Sequence, residues 1–191
     1  MLFIAVTMIF TSCGNNSGSS NESITKTNDS SSQSTNSNIS ETKSSTAISD
    51  VVSHYLHLKN ALTNDNGNDA ASAAKELGST LTKVDESTLT PEQKKVYDDL
   101  KDDIKEHAEH IGANGSNIEH QREHFDLLSK DMIDFVKATG SSTTLYRDFC
   151  PMYNNKKGAY WLSETKEIKN PYYGSEMLKC GVVKEEIKPK G

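Results

Sequence analysis

The chain has 191 residues and a net charge of −6, with 27 acidic against 21 basic side chains. Proteins that bind nucleic acid neutralise phosphates with clustered Lys and Arg, so this acidic balance excludes a nucleic-acid-binding role.

Residues 1–13 are predicted to be a lipoprotein signal peptide that ends in the lipidated Cys13. The segment is apolar, too short to cross a bilayer, and carries small residues directly before the cysteine. It resembles a bacterial lipoprotein box, whereas a plain secretory peptide and a buried N-terminal strand are the alternatives. We therefore expect a protein on the periplasmic side of the cell envelope, held to the membrane by its lipid anchor.

Residues 14–45 are predicted to form a disordered tether rich in Ser and Asn. The only large apolar residues in this segment are Ile24 and Ile39. Such a composition buries too little surface to offset the entropy of ordering the chain, and it is typical of flexible linkers.

Residues 46–140 are predicted to form four amphipathic helices, because apolar residues recur at every third or fourth position. Thr90, Pro91 and Gln93 form a capping box that begins the third helix, and Ser116 with Glu119 forms another that begins the fourth. The connections are short, so the fold class is mainly α, an antiparallel four-helix bundle. The expected core residues are Ile48, Val51, Tyr55, Leu58 and Leu62; Ala70, Ala73, Leu77, Leu81 and Val84; Val96, Leu100, Ile104 and Ile111; Ile118, Phe125, Leu128, Met132 and Val136.

Residues 141–191 are predicted to form an irregular aromatic-rich C-terminal cap that packs on the bundle as one domain with residues 46–140. This segment holds seven of the 13 aromatic residues, and Trp161 is the expected apolar anchor. Turn-forming residues divide it into loops, brief strands and one helical turn near Ser175 to Leu178. Arg122 adjoins the apolar stripe of the fourth helix, so we expect it to clamp a carboxylate or carbonyl groups of the cap.

The sulfur-bearing residues of the cap suggest a soft-metal site. Cys150 and Met152 form one cluster, and Met177 and Cys180 form another. Thiolate and thioether sulfur favour Cu(I), and neither Ag(I) nor Zn is excluded. In an oxidising compartment the two cysteines could instead form a structural disulfide, and the methionines could simply fill gaps under the cap. Both interpretations remain open.

Histidines offer a second source of ligands. They occur in pairs three or four residues apart on predicted helices, where the side chains share one face. Such pairs can bind Zn or Cu(II), although most histidines on helix surfaces are only solvated. We add His124, beside the Phe125 stripe, to the predicted metal ligands, whereas His107 fits an ordinary core histidine. The pairs are His54 and His57, His107 and His110, and His120 and His124.

Several strings resemble a domain-of-unknown-function family of envelope lipoproteins, whose members are also fused to periplasmic adaptor subunits of copper/silver-type heavy-metal efflux pumps. The resemblance covers residues 46–187 and implies a role in metal handling, here in a stand-alone form. The matching strings are Gln121–Phe125, Cys150–Met152, Gly158–Ser163, Ile168–Gly174 and Met177–Gly181.

The sequence predicts a protein that is not an enzyme, because it contains no nucleophile elbow, no phosphate-binding glycine loop and no zinc-protease motif. The predicted function is an envelope lipoprotein that binds Cu(I) for sequestration or delivery to a heavy-metal efflux system. The alternative is a protein-interaction module associated with an efflux adaptor, in which Cys150 and Cys180 form a structural disulfide.

Overall fold

The structure of this protein, a computed structural model, describes the backbone of residues 36–190 and the side chains of residues 46–190. Within that range the molecule is mostly helical, with a small antiparallel sheet near the C-terminus. The long helices are α1 (Asn36–Thr63), α2 (Gly67–Leu81), α3 (Pro91–Ala113) and α4 (Ile118–Thr139), and a short helix, α5 (Tyr153–Lys156), lies in the cap. The strands are β1 (Leu145–Cys150), β2 (Ala159–Ser163) and β3 (Val182–Ile187).

Helix α1 begins at Asn36, inside the segment 14–45 that the composition predicts to be a tether. Once a helix has nucleated on packed residues, each added residue gains a hydrogen bond without a new nucleation cost, so the helix can extend past its packed part. The remainder of the predicted tether, residues 14–35, lies outside the described residues, and so does Cys13.

The beginnings of α3 and α4 test the two predicted capping boxes. Gln93 N donates to Thr90 Oγ1 at 3.2 Å and Thr90 N donates to Gln93 Oε1 at 2.9 Å, which confirms the first box. At α4 the N-cap is Asn117, whose Oδ1 accepts from His120 N at 3.2 Å. The prediction of Ser116 was wrong by one residue, because the preceding turn closes on Asn117 and Asn caps a helix as well as Ser does.

The core lies between the helices and is lined by most of the predicted stripes. Val51, Leu58 and Leu62 of α1 are fully buried, as is Phe125 of α4. Helix α3 differs from the prediction, because Tyr97 is buried where Val96 was expected, and its hydroxyl donates to Leu81 O at 3.0 Å.

The helices contact one another in chain order, α1 with α2, α2 with α3 and α3 with α4, and α1 also contacts α4. These contacts agree with a bundle, whose antiparallel four-helix form stays a prediction. None of the helices within residues 36–190 combines the length and apolar character needed to cross a membrane.

The cap contains a three-stranded antiparallel sheet in the order β2-β1-β3, which is more regular than predicted. Strand β2 packs on α4 and α1, and Trp161 within it is fully buried, as expected of the anchor. Tyr55 of α1 ties the layers together, since its hydroxyl accepts from Leu162 N at 3.0 Å and forms a hydrogen bond with Ser129 Oγ at 2.8 Å. A short 3₁₀ turn at Gly174–Glu176 lies close to the predicted helical turn.

Arg122 joins α4 to both the end of α1 and the cap. Its Nε donates to Pro171 O at 2.9 Å, and its Nη2 donates to Leu62 O at 3.1 Å and to Asp65 Oδ1 at 2.5 Å. The predicted clamp is therefore confirmed, and it holds the cap against the helices.

Candidate metal centre

Four histidines meet where α3 ends and α4 begins. His107 and His110 lie three residues apart in the last turns of α3, while His120 and His124 lie four residues apart in the first turns of α4. Each spacing puts two side chains on one helix face, and the turn between the helices keeps the two faces adjacent. The two sequence-predicted pairs therefore converge into one group, which we call the histidine cluster.

The rings of the cluster are in close contact. The His110 and His124 rings stack with centroids 4.3 Å apart, and the His120 ring meets the His124 ring edge-on at 4.6 Å. His110, His120 and His124 each offer one ligand atom, and these three atoms all lie within 4.8 Å of one another. Among the side chains that the structure describes, no other set of three His, Cys, Asp or Glu residues gathers so closely.

Two further contacts orient rings of the cluster, one from its fourth member, His107, and one from Glu123. His107 Nδ1 lies 3.3 Å from His124 Nδ1, so one of these nitrogens donates a hydrogen to the other. His120 Nδ1 lies 3.3 Å from Glu123 Oε2. Hydrogen bonds of this kind orient an imidazole and favour one tautomer, and metal-binding histidines commonly have them.

The electrostatics favour the neutral form of two rings in the cluster, those of His107 and His124. Burial lowers the pKa of His124, and the neighbouring His110 and His120 lower it further because positive rings would repel one another. Burial also lowers the pKa of His107. A neutral imidazole is the form that binds a metal ion, so protons compete weakly at these two rings near neutral pH.

The first predicted histidine pair, His54 and His57, is occupied by carboxylates of α2. His54 Nδ1 lies 3.2 Å from Glu76 Oε2, and His57 Nε2 lies 3.1 Å from Asp69 Oδ1. These are imidazole–carboxylate contacts at the α1–α2 surface, and the pair does not join the histidine cluster.

The two cysteines of the cap converge, as the soft-metal prediction requires. Cys150 is fully buried at the end of β1, Cys180 is half-buried just before β3, and their Sγ atoms are 3.3 Å apart. Burial raises the pKa of the Cys180 thiol, and its contact with Cys150 adds to the rise. Both are free thiols here, at a separation that suits either two ligands of one soft ion or the formation of a disulfide.

The methionines differ from the cysteines in their exposure. Met152 and Met177 are 42% and 37% exposed, so neither is buried under the cap as the gap-filling alternative requires. Met132 is fully buried in α4 and contributes to the core. The participation of Met152 and Met177 as ligands stays a prediction.

Sequence reasoning selected His124 and paired it with His120 on the same helix, but it did not join His110 of the preceding helix to them. The available signal was that one histidine pair precedes, and another follows, the short turn predicted between the third and fourth helices. That arrangement brings the pairs together only if the facing sides of both helices carry them, which spacing within each helix does not establish.

The comparisons with known proteins add one match. Residues 51–144 match the model of a family described as a protein of unknown function, DUF3347. No curated protein and no solved structure matches the chain. The matched segment contains all four residues of the histidine cluster and ends before Cys150. It supports the resemblance of this chain to a domain-of-unknown-function family.

Proposed function

We propose that this protein binds one divalent transition-metal ion, Cu²⁺ or Zn²⁺, through the imidazoles of His110, His120 and His124. The observation that supports it most directly is the gathering of three imidazole ligand atoms within 4.8 Å of one another. A Zn²⁺ ion bound to nitrogen at about 2.1 Å needs tetrahedral ligand atoms about 3.4 Å apart. Because the His110 and His124 rings are stacked, metal binding requires their side chains to rotate until the ring nitrogens point toward one position.

The ligand type favours borderline ions over hard ones. Imidazole suits Zn²⁺ and Cu²⁺, and Cu²⁺ binds most sites of this kind more tightly than Zn²⁺ does. Ca²⁺ and Mg²⁺ require oxygen ligands, which the three members of the group lack. His107 contacts His124 and acts as a positioning residue for the site.

A second candidate function is the binding of Cu(I) at the cysteines of the cap. The specific observation in its favour is the 3.3 Å separation of Cys150 Sγ and Cys180 Sγ. Two thiolates can share one soft ion, Cu(I) or Ag(I), and the thioethers of Met152 and Met177 would complete the ligand set. The competing interpretation is a structural disulfide in an interaction module that contacts an efflux adaptor.

The cellular role that we propose is metal sequestration in the envelope or delivery to a heavy-metal efflux system. The signal-like segment before Cys13 supports a lipid anchor on the periplasmic side. The resemblance to lipoproteins that are also fused to efflux adaptors supports the connection with export.

Titration of the metal-free full chain with Cu²⁺ and Zn²⁺ tests the histidine site. We expect one ion per chain, and we expect the His120→Gln, His124→Gln double variant to lose at least about tenfold in affinity, because losing a ligand or the group that orients it commonly costs that much. His57→Ala is the matched control, since His57 is exposed on α1 and lies outside the cluster. Undiminished binding in the double variant would refute the assignment.

A Cu(I) competition titration on the reduced chain tests the cysteine site separately. We expect near one-to-one binding that is lost in the Cys150→Ser, Cys180→Ser double variant while the helical circular dichroism persists. Cu(I) binding that survives this variant and disappears in the histidine double variant would leave the cluster as the one metal site and the cysteines as a staple.

A further inference from the structure

An open pocket of about 650 Å³ lies between α4, the end of α1 and the cap, and no proposed metal ligand lines it. Its residues are rich in carboxylates and tyrosines. They include Glu119, Glu123, Asp126, Glu176, Tyr153 and Tyr172.

The positive charge that Arg122 brings to the pocket already pairs with groups of the protein. Arg122 lies at its edge, and its guanidinium donates to Asp65 Oδ1, Leu62 O and Pro171 O. Within residues 46–190, neither Glu119 nor Glu176 forms an ion pair. The pocket therefore keeps an excess of negative charge after Arg122 and Asp65 cancel.

Asp126 adds an observation that points to a missing donor. The residue is only 4% exposed, and its Oδ2 accepts from Lys130 Nζ at 3.1 Å. Its other oxygen, Oδ1, is buried and has no hydrogen-bond partner among the described residues. A buried carboxylate oxygen without a donor is costly. Because this oxygen is covered, the Asp126 side chain must turn toward the pocket for a ligand to supply the missing N–H donor.

Tyrosine rings form the other wall. Tyr153 stacks on Tyr172 with ring centroids 4.4 Å apart, and Tyr173 meets Tyr153 edge-on at 5.9 Å. Burial, followed by the negative charges of Asp126 and Glu123, raises the pKa of Tyr153 to about 12. The ring stays a neutral phenol, and its face attracts an ammonium group or an alkyl chain that carries one.

A metal ion does not fit these residues. Among the described side chains, the set that gathers within the reach of one ion consists of histidines, and the pocket carboxylates are not part of it. Carboxylates that are spread along a pocket suit a ligand whose positive charges are also spread out. Aromatic walls further favour a ligand with an alkyl chain between its charges.

We propose that this pocket binds a linear alkyl polyamine, with one ammonium group donating to Asp126 Oδ1 and its alkyl chain lying against the Tyr153 ring. The exposed Glu119, Glu123 and Glu176 attract the remaining ammonium groups. This binding function uses none of the proposed metal ligands, although Glu123 also contacts His120 of the histidine cluster.

Isothermal titration calorimetry of the full chain with spermidine tests the proposal, with EDTA present so that no metal occupies the histidine cluster. We expect saturable binding of one spermidine per chain. Asp126→Asn should weaken it at least tenfold, since a hydrogen bond between charged groups is lost at a buried site. Asp102→Asn is the matched control, because Asp102 is an exposed carboxylate of α3 outside the pocket.

A second variant protects the test from misfolding of Asp126→Asn. The Glu123 side chain is 71% exposed, so Glu123→Gln leaves the fold intact and should weaken binding by a smaller factor. The proposal is overturned if spermidine gives no saturable heat, if neither pocket variant weakens binding, or if Asp102→Asn weakens it equally. The last result would mean that spermidine binds the acidic surface in general.

Discussion

Asp148 is a carboxylic acid buried in the middle strand of the sheet. It is fully buried, neither of its oxygens has a hydrogen-bond partner among the described residues, and it lies opposite Trp161 in β2. Burial, together with the nearby charge of Glu164, raises its pKa to about 7, although Lys59 acts in the opposite direction. Lys59 is itself only 1% exposed and pairs with Glu164 at 2.9 Å.

Asp148 should make the stability of the protein fall between pH 4 and pH 7. In this window the folded chain holds a proton that the unfolded chain has released, so the free energy of unfolding decreases as the pH rises. A pKa raised from about 4 to about 7 corresponds to roughly 4 kcal/mol at most. Relative to Asp148→Asn, we expect the wild type to lose about 2 to 4 kcal/mol between pH 4.5 and pH 8.

Urea unfolding at pH 4.5, 6 and 8 measures this difference. The amide that Asp148→Asn introduces cannot ionise, so the variant serves as the reference for all other titrating groups. Parallel pH profiles for the two proteins would show that Asp148 does not carry a raised pKa.

Gly174 of the cap lies so close to Arg122 and Asp65 that even the methyl group of an alanine would not fit at this position. Gly174 has φ +51°, and a Cβ at this position would meet Asp65 Oδ1 and come within 2.6 Å of Arg122 Nη2. The turn can therefore approach the clamp only without a side chain.

Gly174→Ala should lower the free energy of unfolding by about 2 kcal/mol or more, because it combines an unfavourable φ with a clash against the part-buried ion pair of Arg122 and Asp65. Gly78→Ala in α2 is the matched control. Its Cβ would meet Ala108 Cβ at an ordinary 3.7 Å, and Ala favours the helix by roughly 0.5 to 1 kcal/mol. Thermal and urea unfolding distinguish the two, and an equally stable Gly174→Ala protein would contradict the importance of the close approach.

Among the elements, the helices were more predictable than the cap. The Thr90 capping box depends on residues three positions apart, so the local sequence specifies it fully. The N-cap of α4 is Asn117 rather than Ser116 because either residue type can cap a helix, and the geometry of the preceding turn selects between them. The pairing of β1 with β3 joins strands that are separated by residues 151–181, which include β2. No local sequence pattern specifies such a distant partner.

For the whole molecule, the candidate sites depend on which surfaces the fold brings together. The convergence of Cys150 and Cys180 was predicted from their residue types, and the structure agrees at 3.3 Å. The two histidine pairs were recognised within their own helices, but only His124 was chosen as a ligand, because the pairs become one cluster through the packing of α3 on α4. Residue type thus indicates the chemistry, while the packing of elements determines the ligand set.

Oxidation of the cysteines should stabilise the whole domain without affecting the histidine cluster. A bond between residues 30 positions apart closes a loop whose entropy contributes roughly 3 to 4 kcal/mol. We expect reductant to lower the free energy of unfolding of the oxidised wild type by up to that amount, and to leave the Cys150→Ser, Cys180→Ser variant unchanged. If reductant also abolished Zn²⁺ binding, the two sites would not be independent.

Metal binding at the histidine cluster should in turn stabilise the molecule against unfolding. The ion would take ligands from both α3 and α4, which separate when the chain unfolds, so its binding energy adds to the stability of the fold. At free Zn²⁺ a hundredfold above its dissociation constant, the gain is about 2.7 kcal/mol.

Thermal unfolding should show a higher midpoint with Zn²⁺, a return to the metal-free midpoint with EDTA, and a smaller shift near pH 5, where protons compete for imidazole. The His57→Ala protein should respond like the wild type, whereas the His120→Gln, His124→Gln protein should show a much smaller Zn²⁺ shift. An equal Zn²⁺ shift in all three proteins would place the stabilising ion elsewhere on the surface.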